Sequence, residues 1–166
     1  IVNIDGSGDR LLRKGIGFQT PWPIAWSPDG KFILALGKMP NDTATDEETG
    51  HVLTVSVDDG SIRVIKELEP WQTECCGDIS PDSKYILYPL PQEEGKRIND
   101  LYLLAADGSS EELIVNNPAH DTDPVWRPDG KGIVFRSDRM GTQDLWALDI
   151  DNGKVEGKPR ILKYNL

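Results

Sequence analysis

A four-residue turn signal returns three times in this chain, as Ser27-Pro28-Asp29-Gly30, Ser80-Pro81-Asp82-Ser83 and Arg127-Pro128-Asp129-Gly130. Each copy is followed by a lysine (Lys31, Lys84, Lys131) and then an apolar run. A second signal alternates with it, at Asp5-Gly6, Asp59-Gly60, Asp107-Gly108 and Asn152-Gly153. The distance from each of these to the next Pro-Asp turn is nearly constant, at 24 (5 to 29), 23 (59 to 82) and 22 (107 to 129). Self-similarity at such a spacing means that one supersecondary unit is repeated, and it restricts the fold more than any other feature.

The third unit reads most clearly. Asp123-Pro124-Val125-Trp126 is a short strand, and the turn follows because Pro presets φ while Asp and Gly suit the next positions. Gly132–Arg136 is a second strand, and the alternating Asp144–Asp149 a third after a polar connection. Asn152-Gly153 makes a hairpin, and Arg160–Leu162 reads as a fourth, edge-like strand. The first unit repeats the plan with Ile24–Trp26, Phe32–Leu36, Val52–Val57 and Ile62–Ile65. The second does so with Gly77–Ile79, Tyr85–Tyr88, Asp100–Leu104 and Glu112–Val115. The units are residues 15–67, 68–116 and 117–166, with 1–14 closing a preceding one. No segment has helical periodicity. The reading is an all-β chain of four-stranded antiparallel blades, the signature of a β-propeller. About three and a half blades do not close a ring of four to eight, so further blades of the same chain are expected as its neighbours. The chain opens at Ile1 within a unit and without a targeting leader, and is read as a piece of a longer protein, marginal when isolated.

The run Asp121-Thr122-Asp123-Pro124-Val125-Trp126-Arg127-Pro128-Asp129-Gly130-Lys131, with Ile133-Val134-Phe135, Ser137, Arg139, Gly141 and Asp144-Leu145-Trp146, resembles the TolB-type, WD-repeat-like propeller blade. Ile79 stands where the other units have Trp, Ser83 replaces the turn Gly, and Arg127 replaces the turn Ser. The resemblance implies bacterial propellers of broad use. Some bind partner proteins in the periplasm, some gate prolyl-oligopeptidase or tricorn-type peptidases, and others follow kinase or DNA-binding domains as sensors. A periplasmic or secreted location is implied by the resemblance alone.

The residues themselves offer little chemistry. There is no Gly-x-Ser-x-Gly elbow, and His51 and His120 lie in different units, so no catalytic triad is assembled. His120, Asp121 and Asp123 are the densest polar cluster, too few to predict a metal site. Asp138, Arg139 and Asp144 read as a hydrogen-bonded brace. The acidic stretch 41–48 lacks calcium-loop spacing and reads as a solvated loop, and the adjacent Cys75 and Cys76 as buried thiols. No catalytic, metal or cofactor-binding residue is assigned, and the segment is read as non-enzymatic.

A formal charge of −10 opposes nucleic-acid binding, and no apolar run reaches the roughly 18 residues of a membrane span. Trp26, Trp126 and Trp146 recur at repeat positions and are expected in the core. Trp22 and Trp71 lie in links beside prolines. In a propeller, those links and the two insertions, Lys38–Gly50 and Pro89–Asn99, emerge on one face. Long loops on a rigid scaffold are where binding concentrates. The expected partner surface is therefore Trp22, Trp71, His120, Asp46, Glu47 and Glu93, facing a protein or peptide. The favoured function is an interaction or sensing module. The alternatives are the gating propeller of a serine peptidase, or a sensor attached to a kinase or transcriptional regulator.

Overall fold

A computed structural model describes residues 1–3, 5–12, 19–38, 50–72, 77–96 and 98–166. Among these residues twelve strands form three sheets of four, each antiparallel and in sequential order. The first sheet is β1 (Gln19–Trp26), β2 (Phe32–Lys38), β3 (Gly50–Ser56) and β4 (Ile62–Glu67). The second is β5 (Asp78–Ile79), β6 (Tyr85–Pro91), β7 (Asn99–Ala105) and β8 (Glu111–Val115). The third is β9 (Asp121–Trp126), β10 (Gly132–Ser137), β11 (Asp144–Asp151) and β12 (Lys154–Lys163). The leading strands β1, β5 and β9 approach one another, which makes them the inner strands of the array.

The turns follow from their residues. In the Pro-Asp turns, the carboxylates of Asp29, Asp82 and Asp129 accept the amide N–H two residues on, from Lys31, Lys84 and Lys131. Asp5, Asp59 and Asp107 do the same for Ser7, Ser61 and Ser109. Both turn signals therefore work by one device, an Asp side chain standing in for a backbone acceptor. Ser27 and Ser80 add a hydroxyl that accepts the N–H of Phe32 and Tyr85 as the next strand begins. Residues 1–3 and 5–10 close on themselves around Asp5-Gly6, with Ile1 and Arg10 exchanging hydrogen bonds and the Asn3 N–H donating to Ser7. The Arg10 guanidinium then reaches the Val57 carbonyl at the edge of the first sheet.

The core lies between sheets. Leu34 and Val52 of the first sheet meet Ile79, Ile86, Tyr88 and Leu104 of the second. Leu87, Leu101 and Leu103 on the other face of the second meet Trp126, Ile133, Phe135, Trp146 and Leu148 of the third. Alternation along each strand of the second sheet divides its side chains between the two neighbours.

Trp126 and Trp146 are buried, but Trp26 is 48% exposed and is not a core residue. Trp126 packs onto the second sheet, its ring 6.5 Å from that of Tyr85. Trp26 occupies the same repeat position on the face turned away from the second sheet, and among the described residues no sheet covers it. The second insertion is also shorter than expected. Pro89 and Pro91 lie within β6, opposite Leu101 and Asn99, so the connection is Gln92–Ile98. Proline is tolerated there because, among the described residues, β5 pairs with Leu87 and Ile86 alone, so it breaks no ladder bond described on that side.

Candidate functional site

Strand register gives the array two distinct ends. The pairs Trp26–Ile33, Ile79–Ile86 and Trp126–Ile133 adjoin the Pro-Asp turns at one end. The pairs Lys38–Gly50, Pro91–Asn99 and Ser137–Asp144 lie at the other, where the longer connections and the links between sheets emerge. Trp22, Trp71, His120 and Glu93 all fall at this loop end. Asp46 and Glu47, like Cys75 and Cys76, lie outside the described residues.

These four differ in how committed they are to the fold. Trp22 is 75% exposed on inner strand β1. Trp71 is half-buried in the link after β4, beside Gln72, whose side chain donates to the Pro91 carbonyl. His120 is engaged: its Nδ1 accepts the Asn99 N–H at 3.1 Å, and its own N–H donates to Asp138 at 2.8 Å. The Glu93 carboxylate pairs with Lys96 at 2.6 Å on the surface.

Beside Glu93 a cleft of about 560 Å³ opens over the second sheet. Gln92, Glu93 and Lys96 form one wall, Asn116 and Pro118 the other, and buried Asp100 lies beneath. Asp100 accepts the Gln92 side-chain N–H and the Asn117 N–H, which fixes both walls. Asn117 in turn donates to Asp121 and accepts the Ala119 N–H. Sequence reasoning passed over Gln92, Asp100 and Asn117. The signal was present, because Asp144 accepts the Asn165 N–H in the same way one unit later.

The His120–Asp121–Asp123 run does not converge on a common point. Asp121 is fully buried and receives Arg139 at 2.8 Å, while Asp123 is exposed and pairs with Arg136 at 2.9 Å. Burial pushes the Asp121 carboxyl above the ordinary carboxylate range, against hydrogen bonds from Ser137, Arg139 and Asn117 that pull it down. The Arg139 guanidinium lies over the Trp146 ring, 4.4 Å from its centroid. This is a brace across the strand connection, with Asp121 as the partner of Arg139.

No protein-family model matches the chain. The Tol-Pal system protein TolB of Bordetella pertussis (strain Tohama I) is 35% identical over 57 residues, 34% of this chain and 13% of that protein. Among solved structures, TolB from Acinetobacter baumannii superposes with a TM-score of 0.66 at 22% identity, over 93% of this chain and 35% of that one. The fold is that of a TolB-like β-propeller. An uncharacterized protein of Agrobacterium fabrum (strain C58) is 29% identical over 150 residues, 87% of this chain and 46% of its own length. The same propeller architecture is shared with an oligogalacturonate lyase in complex with manganese, at a TM-score of 0.69 and 16% identity over 98% of this chain and 46% of that one. It is also shared with a puromycin-hydrolyzing peptidase of Mycobacterium tuberculosis, at 0.64 and 16% over 88% and 23%. The chain spans less than half the length of each of these relatives.

Proposed function

We propose that this propeller is a non-catalytic module that docks a protein or peptide partner through its loop end. The observation that carries the reading is Trp22, a large aromatic left 75% exposed on an inner strand between two prolines. Tryptophan is the residue type most enriched at binding hot spots, and a rigid strand presents it at little entropic cost. The likeness to TolB supports a protein partner and a periplasmic or secreted setting. The peptidase neighbour motivates a second reading, a propeller that gates a catalytic domain.

A photo-crosslinking residue at position 22 of the full-length protein, in its native cell, separates these readings. Lys158 on the outer strand β12 is the reference position. Adducts to one protein from position 22 and none from 158 are expected. Equal adducts from both, or none from either, would end the docking reading. Cleavage of short peptides by the full-length protein would transfer the assignment to the gating reading.

A further inference from the structure

At the turn end, away from the docking surface and independent of it, the hairpin between β11 and β12 holds Asn152-Gly153, the one asparagine in the sequence that glycine follows. That dipeptide carries a reaction of its own, because a glycine amide nitrogen is unhindered enough to attack the carboxamide before it. Both reactants are unengaged here. The Gly153 N–H makes no hydrogen bond among the described residues. Asn152 is exposed, and the one bond described for its carboxamide is the N–H it donates to the Asp151 carboxylate at 3.2 Å. In the Asp-Gly turns, by contrast, Asp5, Asp59 and Asp107 are each tied to an N–H two residues on.

The folded turn holds the two reactants apart. Asn152 and Gly153 have φ of 48° and 79°, the left-handed pair of a type I′ turn, in which ψ of the first residue is about +30°. Ring closure needs the Gly153 nitrogen on the same side of the Cα–C bond as Cβ, and at that ψ it lies close to the opposite side. The nitrogen must therefore swing about that bond, and the Asn152 carbonyl oxygen, fixed in the same peptide plane, swings with it. That oxygen accepts the Tyr85 hydroxyl at 3.0 Å, and Gly153 lies against the Tyr85 ring. Tyr85 is itself set by the Ser80 hydroxyl, which accepts its N–H at 2.9 Å. We propose that Asn152 is a site of spontaneous deamidation, and that Tyr85 is the positioning residue that holds the reaction back by pinning the turn shut. When the turn opens, the Gly153 nitrogen gives its proton to solvent and attacks Cγ of Asn152. The new C–N bond replaces the bond to the carboxamide nitrogen, which leaves as ammonia. Water then opens the cyclic imide, at Cγ to give aspartate or at the main-chain carbonyl to give isoaspartate. Either product adds a negative charge beside Asp151. Isoaspartate also adds a methylene to the main chain between paired Asp151 and Lys154, which moves Gly153 off the Tyr85 ring and loosens the seam between the second and third sheets.

The test ages the full-length protein at mildly alkaline pH and reads, by peptide mass spectrometry, the exchange of NH2 for OH at each asparagine. Folded wild type should convert at Asn152 at least about tenfold more slowly than the same protein in urea, because the reaction waits on local opening. Folded Tyr85→Phe keeps the ring and loses the hydroxyl. It should convert about fivefold faster than folded wild type, the factor that one lost hydrogen bond gives. In urea the two proteins should convert alike. Buried Asn99 reports on global unfolding, and its rate should be the same in both folded proteins. No conversion at Asn152 in urea, equal rates in folded and urea-treated wild type, or an unchanged rate in folded Tyr85→Phe would overturn the proposal. A rise at Asn99 in the same proportion as at Asn152 would also overturn it, by making Tyr85 a general stabiliser instead of a lock on this turn.

Discussion

Ser83 holds a left-handed backbone, φ 61°, where the other two Pro-Asp turns place Gly30 and Gly130. A side chain there is strained, yet its hydroxyl accepts the Asp29 N–H at 3.1 Å and ties the first sheet's turn to the second's. Ser83→Ala keeps the strain and loses the bond, so it should destabilise by about 1 kcal/mol in urea unfolding. Ser83→Gly loses the bond but relieves the strain, and should stay within about 0.5 kcal/mol of the parent. If the two variants are equally stable, the hydroxyl contributes nothing. Gly153 has no such freedom. At φ 79° a Cβ would sit 2.4 Å from the Tyr85 ring. Gly153→Ala should therefore cost about 2 kcal/mol or more, and Tyr85→Leu in that background should recover part of the loss.

The strands were legible because their signals are local. Alternating apolar residues between Asp-led turns mark where each strand runs, and the turn chemistry needs no information from elsewhere in the chain. Strand ends were less legible because partners set them. The sequence reads the second insertion as beginning at Pro89, but β6 runs on to Pro91 against β7, and among the described residues β5 asks nothing of its other edge there. Site residues followed the same division. Register put Trp22, Trp71, His120 and Glu93 at one end, whereas the cleft formed by Gln92, Asp100 and Asn117 depends on contacts between a loop and a link. The Asp121–Arg139 brace is likewise a tertiary fact. It joins the start of β9 to the connection after β10, with Asp121 fully buried and the Arg139 side chain largely so. Removing one member leaves the other uncompensated, so Asp121→Leu alone should cost about 3–5 kcal/mol in thermal or urea unfolding. The double variant Asp121→Leu with Arg139→Met should be more stable than either single change. A double variant worse than both would mean that the charges are net stabilising.

At the scale of the whole molecule, two features set behaviour that no single sheet determines. The first is that the outer faces of the end sheets differ from the packed ones. Trp26 and Val64 are exposed on one, Val125 and Leu162 on the other. In this chain Trp126→Ala should cost about 3–5 kcal/mol and Trp26→Ala less than about 1, a contrast between equivalent positions that urea unfolding measures directly. The second is the set of turn carboxylates. Hydrogen bonds from Ser61, first its N–H and then its hydroxyl, together with the Ser56 hydroxyl, hold Asp59 at about 2, against 3.8 for the free group. Asp5 and Asp107 are lowered chiefly by the hydroxyls of Ser7 and Ser109, Asp29 by the Ser27 hydroxyl, and Asp129 by the Lys131 N–H. A carboxyl depressed in the folded state binds fewer protons than in the unfolded chain. Its contribution is whole above the unfolded value and is lost as pH falls through the folded one. Buried Asp121 has the opposite sign, since its raised carboxyl favours the fold when protonated, and that contribution is withdrawn as pH rises. The lowered turn carboxylates outnumber it and lie at both turns of the repeat, so the urea midpoint should fall as pH drops from 3.8 toward about 2. Asp59→Asn retains an acceptor for the Ser61 N–H but cannot titrate, so its profile should be flatter over that interval. An identical slope in Asp59→Asn would show that acid unfolding begins somewhere other than the turns.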